Sequence, residues 1–347
     1  MSKIKHNLIN DLFSQKIGYS RKEVLHGPQY GVDCAVIELP DDMVMVVASD
    51  PLSYIPQIGI EVSAYISLHL AANDIATTGL SPQFGQFVLN LPSAVSKSDL
   101  EHYWSCMSEF AQEIGLHITG GHTGWDAANN TTIAGGGTLF SIGEKEKLLL
   151  SSQAQVNDVL LMTKSAGIIS TSILGMSFPN YVEWHLGLDV LNKLRENIWE
   201  ISVLPESEIV RKINKESSQV HAMHDVTEGG VMGAIYEFAT ASDLGVKVFS
   251  EQIHVEQEIA LTANLFDLDA REKWFVDIFF IVGYLLHLFR DSSRLYFRCF
   301  IYWLYIINQM FLIHGKPKII YQKSWNISGF VGSIYTSAQI HRSSISD

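Results

Sequence analysis

The sequence predicts an α+β protein of two domains, α/β-like in its first half, and three observations point there. Apolar runs of strand length alternate with stretches of helical periodicity between residues 43 and 249. The 347 residues are 47% hydrophobic and 18% charged, a globular balance with enough chain for two cores. A polar stretch at 151–158 separates the halves and predicts a boundary there.

The elements follow in order. Residues 43–49 (MVMVVAS) read as a strand ended by Asp50-Pro51, and 61–78 as a helix stopped by Gly79 and Pro82. A strand fits 84–91. The tetrapeptide Ser98-Asp-Leu-Glu101 has the form of a capping box and predicts a helix from there to Gly115, a natural left-handed stop. Strands fit 116–119, 131–142 and 159–163, helices 166–176, 190–199, 206–213 and 231–241, and 246–249 returns to strand. The expected domains are 1–150 and 151–270.

Residues 271–347 differ from the rest. They hold 17 of the 37 aromatics and nine Lys/Arg against four acids, whereas the preceding 270 residues carry 33 acids and 15 bases. Three readings compete for this tail: a membrane hairpin, an aromatic-rich subdomain, and a shifted reading frame. The uncharged apolar runs 278–289 and 299–313 fall short of the roughly 18–20 residues of a span, and Arg290, Asp291, Arg294 and Arg298 crowd between them. The shifted frame is the favoured reading, and it predicts an exposed, poorly packed end from an inactive product of a damaged gene.

A net charge of −13 argues against a duplex-binding protein. Cys34, Cys106 and Cys299 form no CxxC pair, which disfavours a disulfide scaffold or zinc knuckle. The first residues show no apolar core of a secretory signal, so a cytoplasmic protein is expected.

Chemistry-bearing residues stand at the ends of elements: Gly31-Val-Asp33, Ser49-Asp50-Pro51, Asn73-Asp74, Thr119-Gly-Gly-His-Thr123 as a strand-to-loop joint, and His224-Asp-Val-Thr-Glu228-Gly-Gly230. Glycines beside strand ends let amides approach phosphate oxygens. Converging carboxylates repel by about 4 kcal/mol per pair at ~4 Å and an effective dielectric near 20, so a cluster of them asks for a cation such as Mg²⁺. Taken singly, each has a plainer reading. Asp33, Asp50 and Asp225 serve as turn or cap residues, Asp74 as a solvent-facing helix residue, His122 and His224 as structural histidines, and Lys164 as a solvated strand end.

Taken in order, GPQYGVDCAVI (27–37), ASDP (48–51), AANDIATTGLSP (71–82), TGGHT (119–123), NDVLLMTKSAG (157–167) and HDVTEGGVMGAIYEFA (224–239) resemble the AIR synthase (PurM-like) superfamily, nearest its HypE-like, hydrogenase-maturation branch. The resemblance implies an N-terminal sheet closing into a barrel across a homodimer, an α+β C-terminal half, and ATP with Mg²⁺ in a shared groove. It implies activation of an amide or acyl oxygen, or phosphorylation of a small acceptor, on a small-molecule or protein substrate. By motif it makes Asp33, Asp50 and Asp74 metal ligands, places Asn73, Gly120, Gly121, Thr123, Gly229 and Gly230 at the nucleotide, and gives Lys164, His224, Asp225 and Glu228 catalytic roles. Departures narrow it. Val32 stands where thiamine-monophosphate kinases have a second aspartate, and His122 where they have an acid. The N-terminus lacks the reactive cysteine of selenophosphate synthetases, and Ser343–Asp347 lacks the terminal cysteine of HypE. A non-catalytic nucleotide-binding maturation or scaffold protein is the alternative.

Overall fold

Alternating buried and open positions along Met43–Pro51 make this run the first long strand, β3, and its partners follow the same rule. The computed structural model describes residues 9–129, 132–216 and 219–270, with the short segments 279–283, 311–314 and 319–322. The first sheet joins β1 (Val24–His26), β2 (Ala35–Glu38), β3, β4 (Phe84–Pro92), β5 (His117–Asp126) and β6 (Gly136–Glu144) in the order β1-β2-β3-β6-β4-β5. All pairs are antiparallel except β4–β5. Among the described residues the sheet is open, with β1 and β5 as its edges; one chain does not show the barrel expected across a homodimer.

Helix α1 (Ile60–Thr77) lies between the two halves, and this explains its apolar surface on all sides. One face packs Leu68, Ala71, Ala72 and Ile75 against Val36, Val46, Phe87 and Leu89 of the first sheet. A second face sets Val62, Tyr65 and Ile66 against Ile168, Ile198, Ile201 and Ile259, and Ala76 joins Val159, Val203 and Val220. Helix α2 (Lys97–Glu113) packs against α1 and on the first sheet, with Tyr103 and Met107 buried and Trp104 edge to face with Phe87 of β4.

The α2 start corrects the sequence reading. The capping box is Ser96 with Asp99, not Ser98 with Glu101. Ser96 Oγ accepts from Asp99 N at 3.1 Å, and Asp99 Oδ2 accepts from Ser96 N at 3.0 Å. Both tetrapeptides fit the S-x-x-acid rule. The earlier one also places Val95 and Leu100 at the two positions of a hydrophobic staple, and both belong to the first core. The helix ends as expected: Gly115 N bonds Gln112 O and Leu116 N bonds Ala111 O around left-handed Gly115.

The second half holds β7 (Val159–Met162), α3 (Ile168–Ser177), α4 (Pro179–Leu186), α5 (Leu188–Asn197), α6 (Leu204–Glu216), β8 (Val220–Asp225), α7 (Gly230–Ala241), β9 (Gly245–Phe249) and α8 (Gln257–Leu265). Its sheet is completed by three strands from beyond residue 270, β10 (Phe279–Gly283), β11 (Phe311–His314) and β12 (Ile319–Gln322), in the order β12-β9-β11-β7-β10-β8. Strands β7, β8 and β9 are not neighbours; β10 and β11 lie between them. The rest of the tail, with both apolar runs of the hairpin reading except for β10 and β11, lies outside the described residues. No helix among the described residues is long and apolar enough to cross a membrane.

Candidate functional site

Three segments meet at the junction of the halves: the loop before β2, the C-terminal end of β8, and α7. The loop can press against α7 only because residue 31 is glycine. Gly31 has φ +78°, and a Cβ there would lie 2.4 Å from Glu237 O. Beside it Tyr30 and Tyr236 meet edge to face at 6.0 Å.

This approach delivers Asp33 to His224. Asp33 Oδ2 is 2.9 Å from His224 Nδ1, and Ser151 Oγ, 3.1 Å from the same nitrogen, donates to Met223 O. On the ring's other side, Nε2 is 3.6 Å from Glu237 Oε2, an ion-pair distance longer than a hydrogen bond. His224, Asp225 and Glu237 are each at most 4% exposed. Burial works against a charged ring, but Asp33, Glu237 and Asp225 outweigh it and raise His224 to about 10. Burial first, then the charge of Glu237, also pushes the Tyr30 phenol above its ordinary value, and its hydroxyl donates to Glu237.

Ligand atoms of Asp33, His224 and Asp225 all lie within 4.8 Å of one another. Asp74 is close at hand, because Cys34 Sγ donates to Asp74 O at 3.1 Å. Burial and then the charges of Asp74, Asp33 and Asp225 hold that thiol protonated. Asp50 lies within β3, opposite Gly137 of β6, toward the same end of the sheet as Asp33. In the β2–β3 ladder Ala35 faces Val47, so Asp33 lies two residues before one partner and Asp50 three after the other. Glu228 and the left-handed Gly229-Gly230 open α7 directly after the β8 end, with Glu228 half-buried.

Other expected residues go elsewhere. Asn73, fully buried, spends its amide between the halves: Nδ2 donates to Ile201 O and Oδ1 accepts from Val203 N, both at 3.0 Å. Lys164 is turned inward, 3.0 Å from Glu206 Oε1 and donating to Ser202 O, so its charge is taken by a buried acid. Residues 119–123 are not a strand-to-loop joint but the interior of β5, with exposed side chains. Gly121 has a packing reason: a Cβ there would lie 1.8 Å from Phe87 O on β4. Gly120 and Thr123 sit on the same exposed edge.

Sequence reasoning missed Glu237, Ser151 and Tyr30. A signal existed for Glu237. It is the one acid in GVMGAIYEFATA, three residues after buried Ala234 and beside buried Phe238.

Two family models match the chain: AIR synthase related protein, N-terminal domain, over residues 31–139, and AIR synthase related protein, C-terminal domain, over 155–277. The chain is 24% identical over 198 residues to a putative hydrogenase expression/formation protein of Methanocaldococcus jannaschii, a match covering 57% of this chain and 55% of that one. It is 24% identical over 260 residues to a selenide, water dikinase of Clostridium botulinum, covering 73% and 69%. Little more than half of the first relative's length is thus spanned. The fold resembles that of AaThiL complexed with AMPPCP and TMP (TM-score 0.66, 14% identity, 92% and 95% of the two chains). It equally resembles the HypE–HypF complex (TM-score 0.66, 15% identity, 94% and 99%).

Proposed function

The chain belongs to the AIR synthase related family, and on that premise we propose that it binds ATP with Mg²⁺ at the junction of its halves, as a HypE-like protein. The nucleotide would activate an amide or acyl oxygen, or phosphorylate a small acceptor. One observation carries the reading. Asp33, Asp225 and Glu237 gather around the buried ring of His224, with Asp74 adjoining, and ligand atoms of Asp33, His224 and Asp225 lie within 4.8 Å of one another. A divalent cation suits such a gathering of oxygen ligands.

The donor set fits magnesium, a hard cation that takes carboxylate oxygens. Asp33 and Asp225 supply them, while His224 is already held by Asp33 and acts as counter-charge. Asp74 on α1 and Asp50 on β3 are the further acids of this reading, Asp74 bonded through its carbonyl to Cys34 and Asp50 toward the Asp33 end of β3. Gly229 and Gly230 present the α7 N-terminus to phosphate, and Glu228 stands at its mouth. When bound, Mg²⁺ neutralises charge on the transferring phosphoryl group. The related protein AaThiL was solved with the nucleotide analogue AMPPCP, and this agrees with the reading.

The reading includes a cytoplasmic homodimer. Strand β5 is an edge exposed along nearly all its length, and a second copy covering it would bring Gly120, Gly121 and Thr123 into an interface. Light scattering tests that. For the nucleotide, calorimetry with Mg²⁺ and ATP should show binding that Asp225→Asn weakens at least tenfold, and phosphate release then separates enzyme from scaffold. Equal binding by the wild type and Asp225→Asn would refute the site.

A further inference from the structure

We propose, resting on the Mg-ATP reading above, that Glu237 is a positioning residue that acts through His224 to fix the Asp33 carboxylate toward the metal. The His224 ring is held from both sides, with Asp33 at 2.9 Å from Nδ1 and Glu237 at 3.6 Å from Nε2. Each nitrogen faces an acid, so the ring has one orientation, and Ser151 Oγ at 3.1 Å from Nδ1 adds a second stop on the Asp33 side.

The line Glu237–His224–Asp33 crosses the junction of the halves. Asp33 comes from the first half, His224 and Glu237 from the second. The carboxylate therefore takes its place only when the two are docked, and Gly31 against the Glu237 carbonyl fixes how closely they dock.

A purely structural residue in this place would be apolar, because Glu237 sits 4% exposed among Ala234, Ile235 and Phe238, where an acid costs desolvation. Tyr30 confirms that the acid is held deliberately, since its hydroxyl donates to Glu237 from the loop that carries Asp33. Glu237 stands outside the Asp33, His224 and Asp225 group of converging ligand atoms, so its influence runs through where Asp33 points.

The test measures binding of a non-hydrolysable ATP analogue by calorimetry on the full chain at rising Mg²⁺, with thermal melting in parallel. Loss of such an outer partner typically costs 10–100-fold in metal affinity. Glu237→Gln should raise the half-saturating Mg²⁺ about tenfold. Glu237→Asp should recover part of the loss, and Tyr30→Phe should shift Mg²⁺ dependence in the same direction by less. A Glu237→Gln protein that melts lower yet keeps wild-type Mg²⁺ dependence overturns the proposal. If Glu237→Gln does not fold, Tyr30→Phe decides, and unchanged Mg²⁺ dependence there overturns it. Wild-type protein without Mg²⁺-dependent nucleotide binding overturns the underlying reading itself, so the two failures are distinguishable.

Discussion

Acidification should destabilise this protein through His69, a residue away from the acidic cluster. His69 lies on α1, 4% exposed, with its ring 4.2 Å from that of Tyr65 and no hydrogen-bond partner at Nδ1 among the described residues. Burial, then the charge of Lys164, lowers it from 6.5 to about 4. The folded value is depressed, so the unfolded chain takes the proton first. The neutral ring's contribution is complete above pH 6.5 and is lost as pH falls toward 4. Integrating proton uptake between those two values gives a loss of about 2 kcal/mol by pH 5 and about 3 kcal/mol by pH 4. Urea titrations at several pH values would measure it, followed by tryptophan fluorescence, since the Trp199 ring lies 4.8 Å from that of Tyr65 at a tilt of 59°. Other groups titrate too, so the quantity to compare is the wild type minus His69→Leu. The difference should be nearly flat from pH 8 to 7 and then close by about 3 kcal/mol at pH 4. Two curves falling in parallel, within about 0.5 kcal/mol, would refute the argument.

Asn73→Ala should cost about 2–4 kcal/mol in urea unfolding, because it strands the buried carbonyl of Ile201 and the amide of Val203 at once. A stop codon after Ala270 removes β10 and β11, which flank β7 on both sides, and every residue of β7 is buried. At about 1–3 kcal/mol per unpaired buried backbone group, the loss rivals the 5–15 kcal/mol that holds a domain folded. The shortened chain should therefore be insoluble on expression. A soluble 270-residue protein with a cooperative melt would instead support the shifted-frame reading of the tail.

Much of the fold was written locally. Strand β3, helix α1 and the Gly115 stop are legible because period and glycine chemistry act within a few residues. Strands β2 and β8 escaped, being short runs whose burial comes from neighbours distant in sequence. Helices α4 and α8 escaped for the same reason. The capping box shows the limit in miniature: two tetrapeptides obeyed one rule, and the packing of Val95 and Leu100 chose between them.

By itself the sequence singled out the candidate residues: the aspartates at 33, 50, 74 and 225, His224, and the glycines opening α7. Tertiary structure decided which of them meet. It spent Asn73 on joining the halves and Lys164 on a buried ion pair within the second half, left Gly120 and Thr123 on an open edge, and brought in Glu237 from the buried face of an apolar helix. The reason is physical: a carboxylate's role follows from the charges within a few ångströms of it, and those came from segments up to two hundred residues away in the chain.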